Sequence, residues 1–190
     1  QTQNLVSLRK WGFDSLYPHQ FRPLRMNPHK SVLITAVIAA ASAGALGLAY
    51  IAQYGFALWP CNLCWGQRVP YALALVFSLI AITPAVDPPT RRQVVLLCAA
   101  LFLYNAGFAF YHVGVEQKWW LGPTECVGRP MSFSVDDLAS ALTQTGRTGC
   151  DEVAFSLFGI SMAGYNVIAG LILAAGLGWG ITRRSWWQRQ

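Results

Sequence analysis

Cys61 and Cys64 frame the segment Pro60-Cys61-Asn62-Leu63-Cys64, and two more cysteines, Cys126 and Cys150, follow far downstream. Thiols at C-x-x-C spacing commonly have lowered pKa values and take part in disulfide exchange. A structural disulfide is the plain alternative. It would do little here, because the stabilisation from a disulfide grows with the length of the loop it closes. Zinc held by four thiolates is a second alternative. Only one C-x-x-C exists, however, and the other two cysteines lie 24 positions apart, so no metal is expected. A c-type haem needs histidine directly after the second cysteine, and that residue is Trp65.

Arg68 follows Cys64 by four positions, so on a helix the two share a face. An arginine at the mouth of an apolar helix is costly and often functional. It could stabilise a thiolate on Cys64 or donate to an oxygen of a bound ligand; a snorkelling interface arginine is the alternative. His112 falls near the end of a later apolar segment, where a packing role competes with a chemical one. The fifth cysteine, Cys98, lies inside that segment and reads as a small hydrophobe.

The elements that would position these residues are membrane helices. The chain is 54% hydrophobic and 12% charged, against roughly 25% charged in soluble domains. Four apolar stretches, about 32–56, 66–86, 94–115 and 161–181, reach or approach the length that spans a bilayer. Arg68 and Pro70 weaken the second, although proline is tolerated in a first helical turn. The fold expected is an all-α membrane protein, a four-transmembrane-helix bundle. Ser134, Asp137 and the spacing of Val135, Leu138, Ala139 and Leu142 add a short external amphipathic helix ending near Gly146. Small residues at four-residue spacing, Ala40 with Gly44 and Ala43 with Gly47, suggest close helix packing. Trp59 and Trp65, with other tryptophans near helix ends, suggest an interfacial belt.

Charge sets the expected orientation. Ten of the fourteen basic residues lie in the N-terminal tail, the 84–93 turn and the C-terminal tail. The positive-inside rule then makes both termini cytoplasmic, with the C-x-x-C turn and the loop 116–160 outside. Residues 1–30 and 183–190 read as basic cytoplasmic tails flanking a membrane domain at 31–182. No signal peptide is expected, since the first apolar run is too long for one. The net charge of +6 reads as orientation rather than nucleic-acid affinity. All four outer cysteines share the external side, where disulfides persist in bacteria. The spacing favours Cys61–Cys64 and Cys126–Cys150, although four cysteines allow three pairings.

Pro60-Cys61-Asn62-Leu63-Cys64 with Arg68, then Tyr111-His112, Cys126, Cys150 and Phe158-Gly159-Ile160-Ser161-Met162, resembles the disulfide bond formation protein B (DsbB) family over roughly residues 30–182. The resemblance implies an inner-membrane thiol oxidoreductase that reoxidises a periplasmic, DsbA-like thioredoxin-fold protein. Electrons would pass to a membrane quinone, ubiquinone or menaquinone. By position, Cys126 would form the mixed disulfide with the partner and Cys150 would exchange with Cys61. Cys64 would be the thiolate that meets the quinone, with Arg68, His112 and Met162 around it. Gln67 stands where some family members carry an acidic residue, so no proton-transfer role is expected of it. Three competitors remain, one of them a specialised family member that serves a single substrate rather than a general donor. A vitamin K epoxide reductase-like protein would place its loop cysteines before the C-x-x-C, not after it. A non-catalytic four-helix scaffold would use both disulfides structurally.

Overall fold

The computed structural model describes residues 28–123, 149–183 and 186–187. Four helices long and apolar enough to cross a membrane make up most of it. They are α1 (Pro28–Gly55), α2 (Asn62–Ile82), α3 (Pro88–Glu116) and α4 (Met162–Thr182). At 21 residues, α2 and α4 are each about 32 Å long, which matches a hydrocarbon core of about 30 Å. α4 packs chiefly on α3 and α1 on α2, and contact between α2 and α3 joins the two pairs. Ile38, Tyr71, Ala74, Val95, Cys98, Phe102 and Leu177 form the central core. Leu33, Leu48, Ile51, Leu79, Leu103 and Ile172 point outward, as lipid-facing residues should.

Helix ends depart from the sequence expectation where proline decides them. α2 stops at Ile82 rather than running to 86. Thr83 precedes Pro84 and is extended, at φ −59° and ψ 145°, because a residue before proline disfavours the helical region. α3 starts at Pro88 rather than 94, with Asp87 as its N-cap and proline in its first turn. α2 starts at Asn62 rather than 66. Pro70 therefore lies inside the helix, not in its first turn. Arg91 stabilises the α2–α3 turn. It is 2% exposed and donates from Nε to the Ala81 carbonyl at 2.8 Å and from Nη2 to the Thr83 carbonyl at 2.9 Å. A cation thus meets carbonyls at the C-terminal end of α2, where the helix dipole favours positive charge.

The small residues of α1 do not make the close contact expected of them. A Cβ at Gly44 or Gly47 would meet nothing within 4 Å, whereas one at Gly170 would lie 3.0 Å from Ala106 Cβ and from the Phe102 carbonyl. Close approach is therefore between α4 and α3. α1 ends in a turn with Leu58 N–H on the Ala52 carbonyl at 3.1 Å and Ala57 in the left-handed region at φ +53°. That turn sends Leu58, Trp59 and Pro60 across to α2. A two-stranded hairpin unforeseen from the sequence, β1 (Ser156–Leu157) and β2 (Ile160–Ser161), leads into α4. Phe158 and Gly159 form its turn, both at positive φ, and Ser161 caps α4 by accepting the Gly164 N–H. Trp187, in the stretch expected to be a tail, is buried against the bundle and donates to the Gly180 carbonyl. The external helix expected at 134–146 and residues 1–27 lie outside the described residues.

Candidate active site

Cys61 is the N-cap of α2 and Cys64 sits in its first turn. The Cys64 N–H donates to Cys61 Sγ at 3.3 Å, and the two sulfurs lie 3.0 Å apart in a hydrogen bond. That separation is well beyond the roughly 2.05 Å of a disulfide, and both thiols are free. Cys61 is the acceptor of the pair, since its sulfur already takes a backbone N–H at a helix N-terminus. The Cys64 thiol, with help from His112 and against the penalty of burial, pulls the Cys61 thiol from 9.0 down to about 4. The Cys61, Cys64 and His112 donor atoms all lie within 4.8 Å of one another. The sulfur spacing does not suit a metal, because thiolates arranged tetrahedrally at about 2.3 Å from zinc would sit about 3.7 Å apart.

His112, 3% exposed on α3, approaches Cys61 Sγ with Nε2 at 3.6 Å. Its Nδ1 lies 2.8 Å from Gln67 Nε2. Gln67 Oε1 accepts Asn166 Nδ2 at 2.6 Å. Asn166 Oδ1 in turn accepts the Tyr71 hydroxyl at 2.7 Å and Asn105 Nδ2 at 3.1 Å. Three helices thus contribute to one buried polar chain that ends at Cys61. Glu116, one turn beyond His112, places Oε1 3.8 Å from His112 Nε2.

Two cavities flank the cysteines. The larger, about 260 Å³, lies between the second half of α1 and the first turns of α2 and α4. Ala45, Leu48, Ala52, Leu58, Trp59 and Ala169 give it apolar walls, and Gln67, Arg68, Tyr71 and Asn166 give it polar groups. The smaller, about 40 Å³, is lined by Cys61, His112, Glu116, Gly149 and Glu152. Cys64 and Met162 line both. Arg68 shares the larger cavity with Cys64, but its guanidinium is anchored to α1. It donates to Gln53 Oε1 at 2.7 Å and to the Ala49 carbonyl at 3.4 Å, and lies over the Tyr50 and Trp65 rings at 4.9 and 4.7 Å. Two of its five N–H donors suffice for those bonds, which leaves donors for a ligand oxygen.

Cys150 is 2% exposed, is disulfide-bonded, and packs in one cluster with Cys61, Leu63 and Val115. The structure therefore brings together Cys61, Cys64, Arg68, His112, Cys150 and Met162; Cys126 lies outside the described residues. Sequence reasoning missed Gln53, Tyr71, Asn105, Glu116 and Asn166, and named Gln67 without a role. Polar side chains inside apolar runs were the available signal, but their pairing depends on how the helices rotate against one another.

A family model described as Disulfide bond formation protein DsbB matches residues 31–180. A Disulfide bond formation protein B of Xanthomonas campestris is 31% identical over 71% of this chain and 82% of its own length. Another, of Hahella chejuensis, is 29% identical over 68% of this chain and 80% of its own. An uncharacterised protein of Rickettsia prowazekii is 28% identical over 77% and 85%. No solved structure matches.

Proposed function

The chain belongs to the DsbB family of disulfide bond formation proteins and is a multi-pass bacterial membrane protein, and from that premise we propose that it is the quinone-linked oxidase of a periplasmic, DsbA-like dithiol protein. The observation that carries the reading is the place of Cys64. Among the described residues it is the one thiol in the wall of both cavities, with Cys61 and the Cys150 cluster on one side and the apolar slot on the other. Exchange chemistry and a lipid-soluble acceptor can meet there without sharing a space.

Electrons enter at the loop cysteines. A thiolate of the partner attacks Cys126, breaking a Cys126–Cys150 bond and releasing Cys150 as thiolate. Cys150 attacks Cys61 of the Cys61–Cys64 disulfide and releases Cys64 as thiolate. The partner's second thiolate then resolves its bond to Cys126, leaving the partner oxidised. Cys126 attacks Cys150, restores the loop disulfide and leaves Cys61 and Cys64 reduced. A bonded Cys150 beside free Cys61 and Cys64, the state described above, corresponds to this point. The charge held on Cys61 favours the reduced pair, which makes its disulfide the better oxidant.

The larger cavity fits a quinone ring by its apolar walls and by the Arg68, Gln67, Tyr71 and Asn166 groups within them. When bound there, a quinone takes up two electrons and two protons. Arg68 would hold an oxygen of the ring, Met162 would pack beside Cys64, and Trp59 would cover the slot at the membrane face. In this reading both termini are cytoplasmic and the cysteines lie on the outer face of the inner membrane, which the positive-inside pattern supports. The test is oxidation of a reduced thioredoxin-fold periplasmic protein by the purified protein, with and without ubiquinone or menaquinone. Quinone-dependent turnover that Cys64→Ser abolishes is expected; turnover retained in Cys64→Ser overturns the reading.

A further inference from the structure

Gln67 and Asn166 line the larger cavity, and they also connect His112 on α3 to Tyr71 and Asn105. We infer that they are positioning residues which fix His112 as its Nε2–H tautomer and aim the ring's one proton at Cys61. The chain of amides can run in one of two directions, and its two ends decide which.

At one end stands the Tyr71 hydroxyl, 2.7 Å from Asn166 Oδ1. If it donates, Asn166 presents its oxygen to Tyr71 and Asn105 and its Nδ2 to Gln67. Gln67 must then accept on Oε1 and donate from Nε2 to His112 Nδ1. A ring nitrogen that accepts carries no proton, so the proton of the neutral ring sits on Nε2. This direction leaves one buried atom of the chain without a partner, Asn105 Oδ1. Reversing every amide would put the Asn105 amide nitrogen where its oxygen now lies, as a buried donor with no acceptor in the chain. Orphaned buried donors are rarer in folded proteins than under-satisfied carbonyl oxygens.

The other end agrees independently. His112 Nε2 faces Cys61 Sγ at 3.6 Å and Glu116 Oε1 at 3.8 Å. Cys61 already accepts the Cys64 N–H, and a carboxylate only accepts. The titratable groups around the ring are Cys61 and Cys64 at the start of α2, Glu116 on α3, and Glu152 across the small cavity. A proton on Nε2 meets acceptors there, whereas a lone pair on Nε2 would face the same two acceptors. The work of the chain is thus to hold a donor against Cys61, which favours its thiolate without placing a second cation in the site.

Two near-isosteric variants reverse the direction without removing bulk. In Asn166→Asp the side chain can only accept, so Gln67 must turn its Nε2 toward it and its Oε1 toward His112. In Gln67→Glu the carboxylate accepts from Asn166 and from His112 alike. Both move the ring proton to Nδ1. The experiment is 15N NMR of the full-length, reduced, histidine-labelled protein in detergent at about pH 8, where an ordinary imidazole is neutral. His112 is assigned by loss of its signals in His112→Gln, since His19 and His29 are the other histidines. The expected result is a pyrrole-type Nε2 and a pyridine-type Nδ1 in the natural protein, exchanged in both variants. A companion readout is the pH profile of Cys61 alkylation, whose lower limb is expected to move up by about one to two pH units in Asn166→Asp with loss of a charge-assisted hydrogen bond. A pyrrole-type Nδ1 in the natural protein overturns the inference, as does an unchanged pattern in a folded variant. If the variants fail to fold, the spectrum of the natural protein decides alone. The inference rests on the oxidase reading only for its effect on turnover. An absent quinone reaction with the Nε2–H pattern intact would strike that reading and leave the tautomer standing.

Discussion

Alkylation of Cys61 in the reduced protein should be nearly independent of pH between about 5 and 9, and the size of the effect can be worked out. The hydrogen bond from Cys64 and the neighbouring His112 bring this thiol from 9.0 to about 4. At pH 6 an ordinary thiol is about one part in a thousand thiolate, whereas Cys61 is about 99% ionised. A less basic thiolate is also a weaker nucleophile. With a Brønsted slope of about 0.4–0.5, five units of basicity cost each Cys61 thiolate about a hundredfold to three-hundredfold in rate. The product is a crossover. Cys61 reacts roughly three to ten times faster than an ordinary thiol at pH 6, and about a hundredfold slower above pH 9. Burial, with 7% of the residue exposed, lowers the absolute rate at every pH and leaves the shape unchanged. The assay is site-resolved mass spectrometry after timed exposure to iodoacetamide, with the urea-unfolded protein as the ordinary thiol. A Cys61 rate that rises tenfold per pH unit up to 9 would refute the reasoning. Linkage supplies a sign to check in the same samples. The folded pKa is depressed, so the charge on Cys61 stabilises the folded, reduced protein fully above about pH 9 and loses this effect as pH falls toward 4.

Three further outcomes follow from the geometry. Arg68→Lys keeps the charge but not the fork that reaches both Gln53 and Ala49, nor the flat stacking between Tyr50 and Trp65; the KM for quinone should rise about tenfold with a smaller change in kcat, and an unchanged KM counts against a ligand role. Gly170→Ala puts a Cβ 3.0 Å from the Phe102 carbonyl and should cost about 1–3 kcal/mol in detergent unfolding. Gly176→Ala, with nothing within 4 Å, should leave stability unchanged or raise it by up to about 1 kcal/mol through helix propensity; equal effects would show that α3 and α4 do not meet at Gly170. Ala57→Gly relieves a left-handed residue at φ +53° and should gain about 0.5–1 kcal/mol after the extra freedom of glycine in the unfolded chain is subtracted, read as a higher thermal midpoint; a lower midpoint would show that Ala57 is not strained.

The four helices were legible because uncharged runs of bilayer length leave few alternatives, and the cysteines were legible because their spacing has few uses. Side-chain direction was not. Four-residue spacing put Arg68 on the face of Cys64, which holds, since both line one cavity. The guanidinium nevertheless turns to α1, because Gln53 and the Ala49 carbonyl supply acceptors there. Small residues at Ala40, Gly44, Ala43 and Gly47 matched a packing pattern, but such a pattern does not say which face meets a neighbour, and Gly44 faces away from the bundle. Gln67, Asn105 and Asn166 are polar residues in apolar runs, a signal that went unread for the two asparagines, and their alignment into one chain depends on three helices rotating into register. That register in turn explains why α2 needs to begin at Asn62. One helical turn separates Cys64 from Gln67, so starting the helix at the cysteines carries Gln67 to His112 while Cys61 faces the other nitrogen of the same ring. A start at 66 would leave Cys61 without the helix N-terminus and detach the sulfur from the polar chain. The N-cap at Cys61 is therefore the local feature that ties the chemistry of the thiols to the packing of the bundle.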